Sequence, residues 1–108
     1  MKPKIIYTDW IKYPINGIML FPFILIQKNL IGAGELKKII NHETIHFKQA
    51  LEILVLPFYI IYGINWLINL FKYNRYDAYK NIIFEKEAHS NEDNLDYLET
   101  RKKYCWLS

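Results

Sequence analysis

From Ile53 to Phe71 the chain runs for 19 residues (ILVLPFYIIYGINWLINLF) without a charge. In a protein of 108 residues, such a segment forms the middle of the core or meets lipid. Its length approaches the roughly 20 residues of a membrane span. Lys72 and Arg75 follow it, as basic residues flank cytoplasmic span ends. Pro57, Gly63, Asn65 and Asn69 dilute it, and Trp66 sits inside it rather than at an edge. Three expectations stay open: a span, a helix lying on a bilayer, and a buried core helix with one greasy face.

The chain is long enough for one domain, residues 1–108, and not for two. Apolar residues make up 52% of it, which excludes a disordered chain. The net charge is +3, and 12 of the 14 basic residues are lysines spread along the sequence. Nucleic-acid binders concentrate their cations on one surface, so no nucleic-acid partner is expected. Cys105 is the single cysteine, which excludes an internal disulfide and fits a reducing compartment. Asp9 and Lys12 interrupt the stretch after Met1–Lys4 where a signal peptide would be apolar. The expected location is therefore the cytoplasm, or the cytoplasmic face of a membrane.

Three parts follow from pattern, and together they make an α+β fold: a short N-terminal β-hairpin packed on a central helix, then two or three further helices. In the hairpin part, residues 4–31, Lys4–Tyr13 is β-branched and aromatic between Pro3 and Pro14, which predicts a strand. Asn16-Gly17 marks a turn. The apolar run Ile18–Gln27 predicts a second strand, which Pro22 makes an edge or a bulge. Gly32-Ala33-Gly34 breaks the chain, and Glu35 suits the positive first turn of a helix. This glycine pattern is too short for a phosphate loop, and no Lys-Ser or Lys-Thr follows it.

In the second part, residues 35–72, Leu36, Ile39, Ile40, Phe47, Ala50, Leu51 and Leu54 recur at helical spacing and predict a helix over 35–55. Pro57 kinks it or starts another. In the third part, residues 77–104, Asp77 is expected to cap a helix carrying Ala78, Ile82, Phe84 and Ala88. Ser90-Asn91 reads as a break, with Asn91 or Asn94 capping a last helix through Leu95, Leu98 and Tyr104. Arg101-Lys102-Lys103 is expected to be a solvated charge run at that helix's C-terminus.

Within the 35–55 helix, His42-Glu43-Thr44-Ile45-His46 is an H-E-x-x-H motif. With 3 His and 7 Glu in 108 residues, it arises by chance about once in two hundred such chains. Residues four apart share a helix face, so two imidazoles can hold one zinc ion at about 2.0–2.1 Å. Glu43, about 100° round the helix, reaches a water on the metal rather than the metal. Zinc lowers the pKa of such a water to about 7, and Glu43 can take its proton and pass it to the leaving amine. Asn41 and Thr44 are expected on the helix surface.

A third protein ligand is required. No third His follows at the metzincin distance, and Phe84-Glu85-Lys86-Glu87-Ala88-His89 supplies the candidates Glu85, Glu87 and His89. Glu85 and Glu87 lie on nearly opposite helix faces, and whichever is not the ligand is expected in solvent.

With these motifs the sequence resembles the gluzincins, the thermolysin-like zinc peptidases, and most closely their minimal core over about residues 18–90. Glu85-Lys86-Glu87-Ala88 is similar to the E-x-x-A segment of that family, with His89 where an Asp often supports a His ligand. The resemblance implies His42, His46 and Glu85 as zinc ligands, Glu43 as general base and acid, and a peptide or protein substrate. It also implies an edge strand beside the zinc that pairs with extended substrate, for which Phe21–Gln27 is the candidate. A Tyr often stabilises the oxyanion in the family, and Tyr73, Tyr76 and Tyr79 are within sequence reach. A chain this short lacks the usual second subdomain, so a partner protein, a homodimer or a membrane surface is expected to complete the cleft. The competing expectation is a metal-stabilised structural or interaction module without catalysis, docked on a membrane.

Overall fold

The computed structural model describes residues 2–11 and 15–107. The fold is α+β: a three-stranded sheet at the N-terminus, followed by helices. The strands are β1 (Lys4–Thr8), β2 (Gly17–Leu20) and β3 (Phe23–Gln27), in the order β1-β3-β2.

The expected pair of strands therefore needs correction. The run Ile18–Gln27 is two strands, because Pro22 has no N–H to continue a ladder. The chain turns at Phe21-Pro22, whose peptide bond is cis, and β2 and β3 make the hairpin between themselves, with Leu20 opposite Phe23. β1 lies on the far side of β3 and runs parallel to it, with Lys4 opposite Phe23 and Thr8 opposite Gln27. It ends at Thr8. Lys12 and Tyr13, the expected end of that strand, and the bounding Pro14 lie outside the described residues. β3 is central, and the alternation of a strand puts Ile24 and Ile26 on one face, where both are fully buried.

After a 3-10 turn at Lys28–Leu30, Gly32 takes φ +82°, a conformation open to glycine and strained for other residues. It delivers the chain to α1 (Leu36–Glu52). α1 crosses the sheet and is buried on several sides, with Ile45, Phe47 and Ala50 inaccessible. Phe47 and Ala50 join Ile24, Ile26, Phe58, Ile82 and Phe84 in the core.

The break after α1 falls at Ile53-Leu54, three residues before Pro57. Leu54 has φ 63°, and α2 (Val55–Asn69) leaves at 113° to α1. Pro57 sits in the first turn of α2, where a missing N–H costs nothing. Among the described residues no single helix is long and apolar enough to cross a membrane. α2 packs Phe58, Tyr59, Tyr62 and Trp66 inward. Its asparagines, which diluted the apolar run, receive the next helices: Asn65 Oδ1 accepts the Ile83 N–H (2.8 Å), and Asn69 Nδ2 donates to the Ala78 carbonyl (3.0 Å).

The expected 77–88 helix is two, α3 (Arg75–Lys80) and α4 (Ile83–Asn91), broken at Asn81-Ile82. Asn74, not Asp77, is the cap, its Oδ1 accepting the Asp77 N–H at 2.8 Å. α4 ends at Asn91, within the expected Ser90-Asn91 break. The last helix, α5 (Tyr97–Thr100), is a single turn that stops short of Tyr104.

Arg101 corrects the expected charge run. Its side chain is 6% exposed and pairs in bidentate fashion with Glu52 of α1 (3.0 and 2.9 Å) and with Glu87 of α4 (2.9 Å at Nη2, with Nε on the second oxygen). Lys102 and Lys103 remain exposed. Trp106 Nε1 and the Tyr104 N–H also donate to Glu52, so the C-terminal segment straps α1 to α4.

Candidate metal centre

α1 and α4 pack face to face, and the H-E-x-x-H turn of α1 meets the first turns of α4. His42 Nε2 lies 2.9 Å from Glu85 Oε1, and His46 Nε2 lies 3.1 Å from the same oxygen. All three side chains are buried, and their ligand atoms fall within 4.8 Å of one another. Of the three residues left open by the sequence, Glu85 makes this convergence. Glu87 points to the other side, as its helix position requires, and is held by Arg101. It is 7% exposed, which corrects its expected place in solvent. His89 stands beside the cluster, with Nε2 3.5 Å from Glu85 Oε1 and its ring edge-on to His42 at 4.6 Å.

Each imidazole is fixed from behind. His42 Nδ1 donates to Glu92 Oε2 (3.1 Å), and His46 Nδ1 donates to Gln49 Oε1 (2.8 Å). A proton on each Nδ1 leaves Nε2 as the metal-facing nitrogen, the arrangement by which outer carboxylates and amides orient metal-ligating histidines. The sequence reading missed both supports. Gln49 is one turn from His46, and Glu92 is two turns from Glu85 on one face, so their spacing was the available signal. The support behind His42 comes not from His89 but from Glu92, to which His89 Nδ1 also bonds (3.3 Å). Gln49 is held in turn, its Nε2 donating to Glu87 Oε1 and to the Phe84 carbonyl, both at 3.0 Å. Asn41 is not on the surface: its Nδ2 donates to the carbonyls of Glu92 (2.9 Å) and Asn94 (3.0 Å), which closes the C-terminal end of α4 against α1. Thr44 is half-buried and bonds the Ile40 carbonyl of its own helix.

Burial, the largest single influence, pushes the His46 pKa down, but the Glu85 carboxylate beside it, with Glu43 and Gln49, outweighs burial and lifts it to about 9. The same pair, with His42, holds Glu85 well below the ordinary carboxylate range despite its burial. Burial raises Glu43, only partly offset by His46 and His42. His89 is pushed down, first by burial and then by His42.

Two nitrogens are the best test of whether these residues suit a cation. His46 Nε2 and His89 Nε2 are both buried, and Glu85 Oε1, at 3.1 and 3.5 Å, lies out of line for a hydrogen bond to either. Leaving such atoms unpaired costs about 1–3 kcal/mol each, and a metal ion beside Glu85 would satisfy the first. His42, His89 and Glu92 form a second possible grouping. It would need His42 to turn Nδ1 from support to ligand, while the first uses both Nε2 atoms as they stand.

The cluster forms one wall of a cleft of about 850 Å³. Glu43 lines it, together with β2. The strand expected to border the site was Phe21–Gln27. β3 is central, however, and of the two edge strands it is β2 that lines the cleft. Asn16 and Gln27 are a bonded pair (3.1 Å), so by alternation Gly17 and Met19 turn their main-chain groups outward. The Met19 carbonyl is taken by the Tyr59 hydroxyl (2.7 Å), and Gly17 faces the cleft. A Cβ on Gly17 would lie 3.4 Å from Glu43 Cγ and 3.3 Å from Ile39 Cγ2.

Tyr76 and Tyr79 line the cleft, and Tyr73 does not. Tyr79 meets the cluster with its ring edge-on to His89 at 5.6 Å, and a closer contact is made by Tyr62 of α2, whose hydroxyl donates to Glu85 Oε2 at 2.5 Å. It came from the apolar run, where its hydroxyl gave no pattern.

Two histidines and a glutamate from two helices, backed by hydrogen bonds and open to a cleft, define a candidate metal centre of H-E-x-x-H type. No protein family, curated protein or solved structure matches the chain.

Proposed function

We propose that this chain is a minimal zinc-dependent metallopeptidase of gluzincin type, hydrolysing peptide bonds in its cleft. The observation that carries the proposal is the meeting of His42 Nε2, His46 Nε2 and Glu85 Oε1, with each imidazole fixed through Nδ1. Two imidazoles and one carboxylate are a donor set suited to zinc with an open fourth position. When bound, zinc supplies a Lewis acid that polarises a carbonyl and brings the pKa of water near neutrality.

The protein residues do the rest. Glu43 lines the cleft on the helix that carries both histidines, and its raised pKa suits a group that takes a proton and returns it to a leaving amine. Tyr62 and the two histidines hold Glu85 as a carboxylate. The outward edge of β2 at Gly17 offers an extended peptide main-chain hydrogen bonds beside Glu43. Gly17 has no side chain to block that approach.

Metal analysis of purified protein tests the first half. One zinc per chain is expected in wild type and a large loss in His46→Ala. Glu43→Gln tests the second: the metal stays and hydrolysis of a broad peptide library disappears. Zinc retained undiminished by His46→Ala removes the metal centre. A zinc-loaded wild type that cleaves no member of the library removes the peptidase and leaves a metal-stabilised module.

A further inference from the structure

α2 has one side the protein does not use. Its exposed side chains are Leu56, Pro57, Ile60, Ile61, Ile64, Leu67 and Ile68, all apolar. At 100° per residue they share one face, opposite Phe58, Tyr62 and Asn69. Ile60 and Ile64 are each 52% exposed, Leu67 55% and Leu56 69%. The stripe continues at both ends, through Leu54 (76%) and Phe71 (92%). A contiguous apolar face of this kind marks an interaction surface rather than ordinary scatter.

Charge indicates what covers it. From Ile53 to Tyr76 there is no acidic residue. Lys72 and Arg75 follow the stripe, both exposed and neither in an ion pair among the described residues. Exposed Tyr73 and Tyr76 stand with them. A second copy of α2 would offer these cations no carboxylate, whereas an anionic headgroup layer would. Aliphatic side chains on one face, with basic and tyrosine residues at the end, suit a helix lying in a bilayer interface. α2 does not cross, since 15 residues reach about 22 Å against a hydrocarbon core of roughly 30 Å, and its inner face is packed on the core.

We infer that this face of α2 docks the protein on anionic phospholipid, with the aliphatic stripe in the acyl boundary and Lys72 and Arg75 among the headgroups. Arg75 and Tyr76 are also part of the cleft wall. Docking therefore places the cleft mouth next to the headgroup layer. The inference does not depend on zinc or on peptidase activity.

Flotation of the full chain with vesicles tests it, using phosphatidylcholine alone and an equal mixture of phosphatidylcholine and phosphatidylglycerol. Wild type is expected to float with the mixed vesicles, less so at high salt, whether or not it has been treated with a chelator. Replacing Lys72 and Arg75 by Gln should weaken this binding about 25-fold, at about fivefold per cation. Ile60→Ser with Ile64→Ser should abolish it, with helix content by circular dichroism unchanged because both residues are exposed. Wild type that stays with neither vesicle overturns the inference. So does equal binding to both vesicle types with no effect of the Lys72 and Arg75 changes. A third overturning result is a wild-type dimer in sedimentation that the Ile60 and Ile64 changes dissociate while vesicle binding is absent, since it assigns the face to a second copy.

Discussion

In the metal-free protein a proton occupies the position that zinc would take. Glu85 lifts the His46 pKa from its ordinary 6.5 to about 9, so at pH 7 the ring is an imidazolium, whereas a metal requires the neutral Nε2. Two pH units of displacement amount to about 3 kcal/mol, or about a hundredfold in apparent affinity. Zinc affinity should therefore rise about tenfold per pH unit from pH 7 to about 9 and then level off. A histidine at its ordinary value would give a flat profile above pH 7. The metal-free fold should show the opposite trend. Because the folded pKa of His46 is raised, its ion pair stabilises fully below 6.5 and that contribution is lost as pH rises through about 9. Glu85, lowered, contributes above its ordinary 4.5 and loses its contribution as pH falls below that. The gap in Tm between zinc-loaded and metal-free protein should then widen from pH 6.5 to 9, since ligand stabilisation grows with affinity. Competition with a chromophoric chelator, corrected for its own protonation, gives the affinity. Calorimetry in buffers of different ionisation enthalpy should count about one proton released per zinc at pH 7.5. An affinity that is flat from pH 7 to 9, with no proton released, would refute the His46–Glu85 pairing.

Glu92→Ala removes the acceptor behind His42 and should weaken zinc binding by about 10- to 100-fold, with helix content unchanged; unaltered affinity in the same chelator titration would mean that Glu92 does not orient the ring. Arg101→Met leaves Glu52 and Glu87 buried without a cation, their side chains being 8% and 4% exposed. That should cost about 3–5 kcal/mol in urea unfolding, a large part of the about 5–15 kcal/mol of a domain, and a loss under 1 kcal/mol would show the strap to be incidental. Gly17→Ala sets a Cβ 3.2 Å from the Leu25 carbonyl oxygen, which as backbone cannot move aside cheaply. About 1–3 kcal/mol of stability should be lost and peptide turnover should fall while zinc content holds; full turnover would remove β2 from the substrate path.

Legibility in the sequence followed distance along the chain. His42, Glu43 and His46 are one helical turn, and a turn can be read locally because its geometry is fixed by 3.6 residues per turn. The 35–55 helix was readable for the same reason, apart from its end, which Leu54 sets through a positive φ that no residue type announces. Glu85 lies 43 residues from His42, and only its likeness to a family segment singled it out from Glu87. Their two-residue spacing on α4 turns them to opposite sides, and Glu87 on the far side is held by Arg101. That residue reads as solvated because its partners, Glu52 and Glu87, come from two other elements. The parallel pairing of β1 with β3 was hidden likewise, since neighbouring strands with a turn between them read as a hairpin until Pro22 supplies a second turn inside the apolar run.

The supporting layer of the site was the least legible part, and for one physical reason. Gln49, Glu92, Asn41 and Tyr62 do chemistry here only because each is buried against a specific partner, and polar residues carry no periodic signal of burial. Asn65 and Asn69 make the point most clearly. As composition they argue against a membrane span. In the structure they bind the Ile83 N–H and the Ala78 carbonyl, where an unpaired backbone group would cost about 1–3 kcal/mol. They thereby set the position of α4, which carries Glu85, against the helix that carries the histidines. The polar residues of the apolar run thus belong to the site's construction, and its exposed aliphatic face is what remains of the run once that construction is complete.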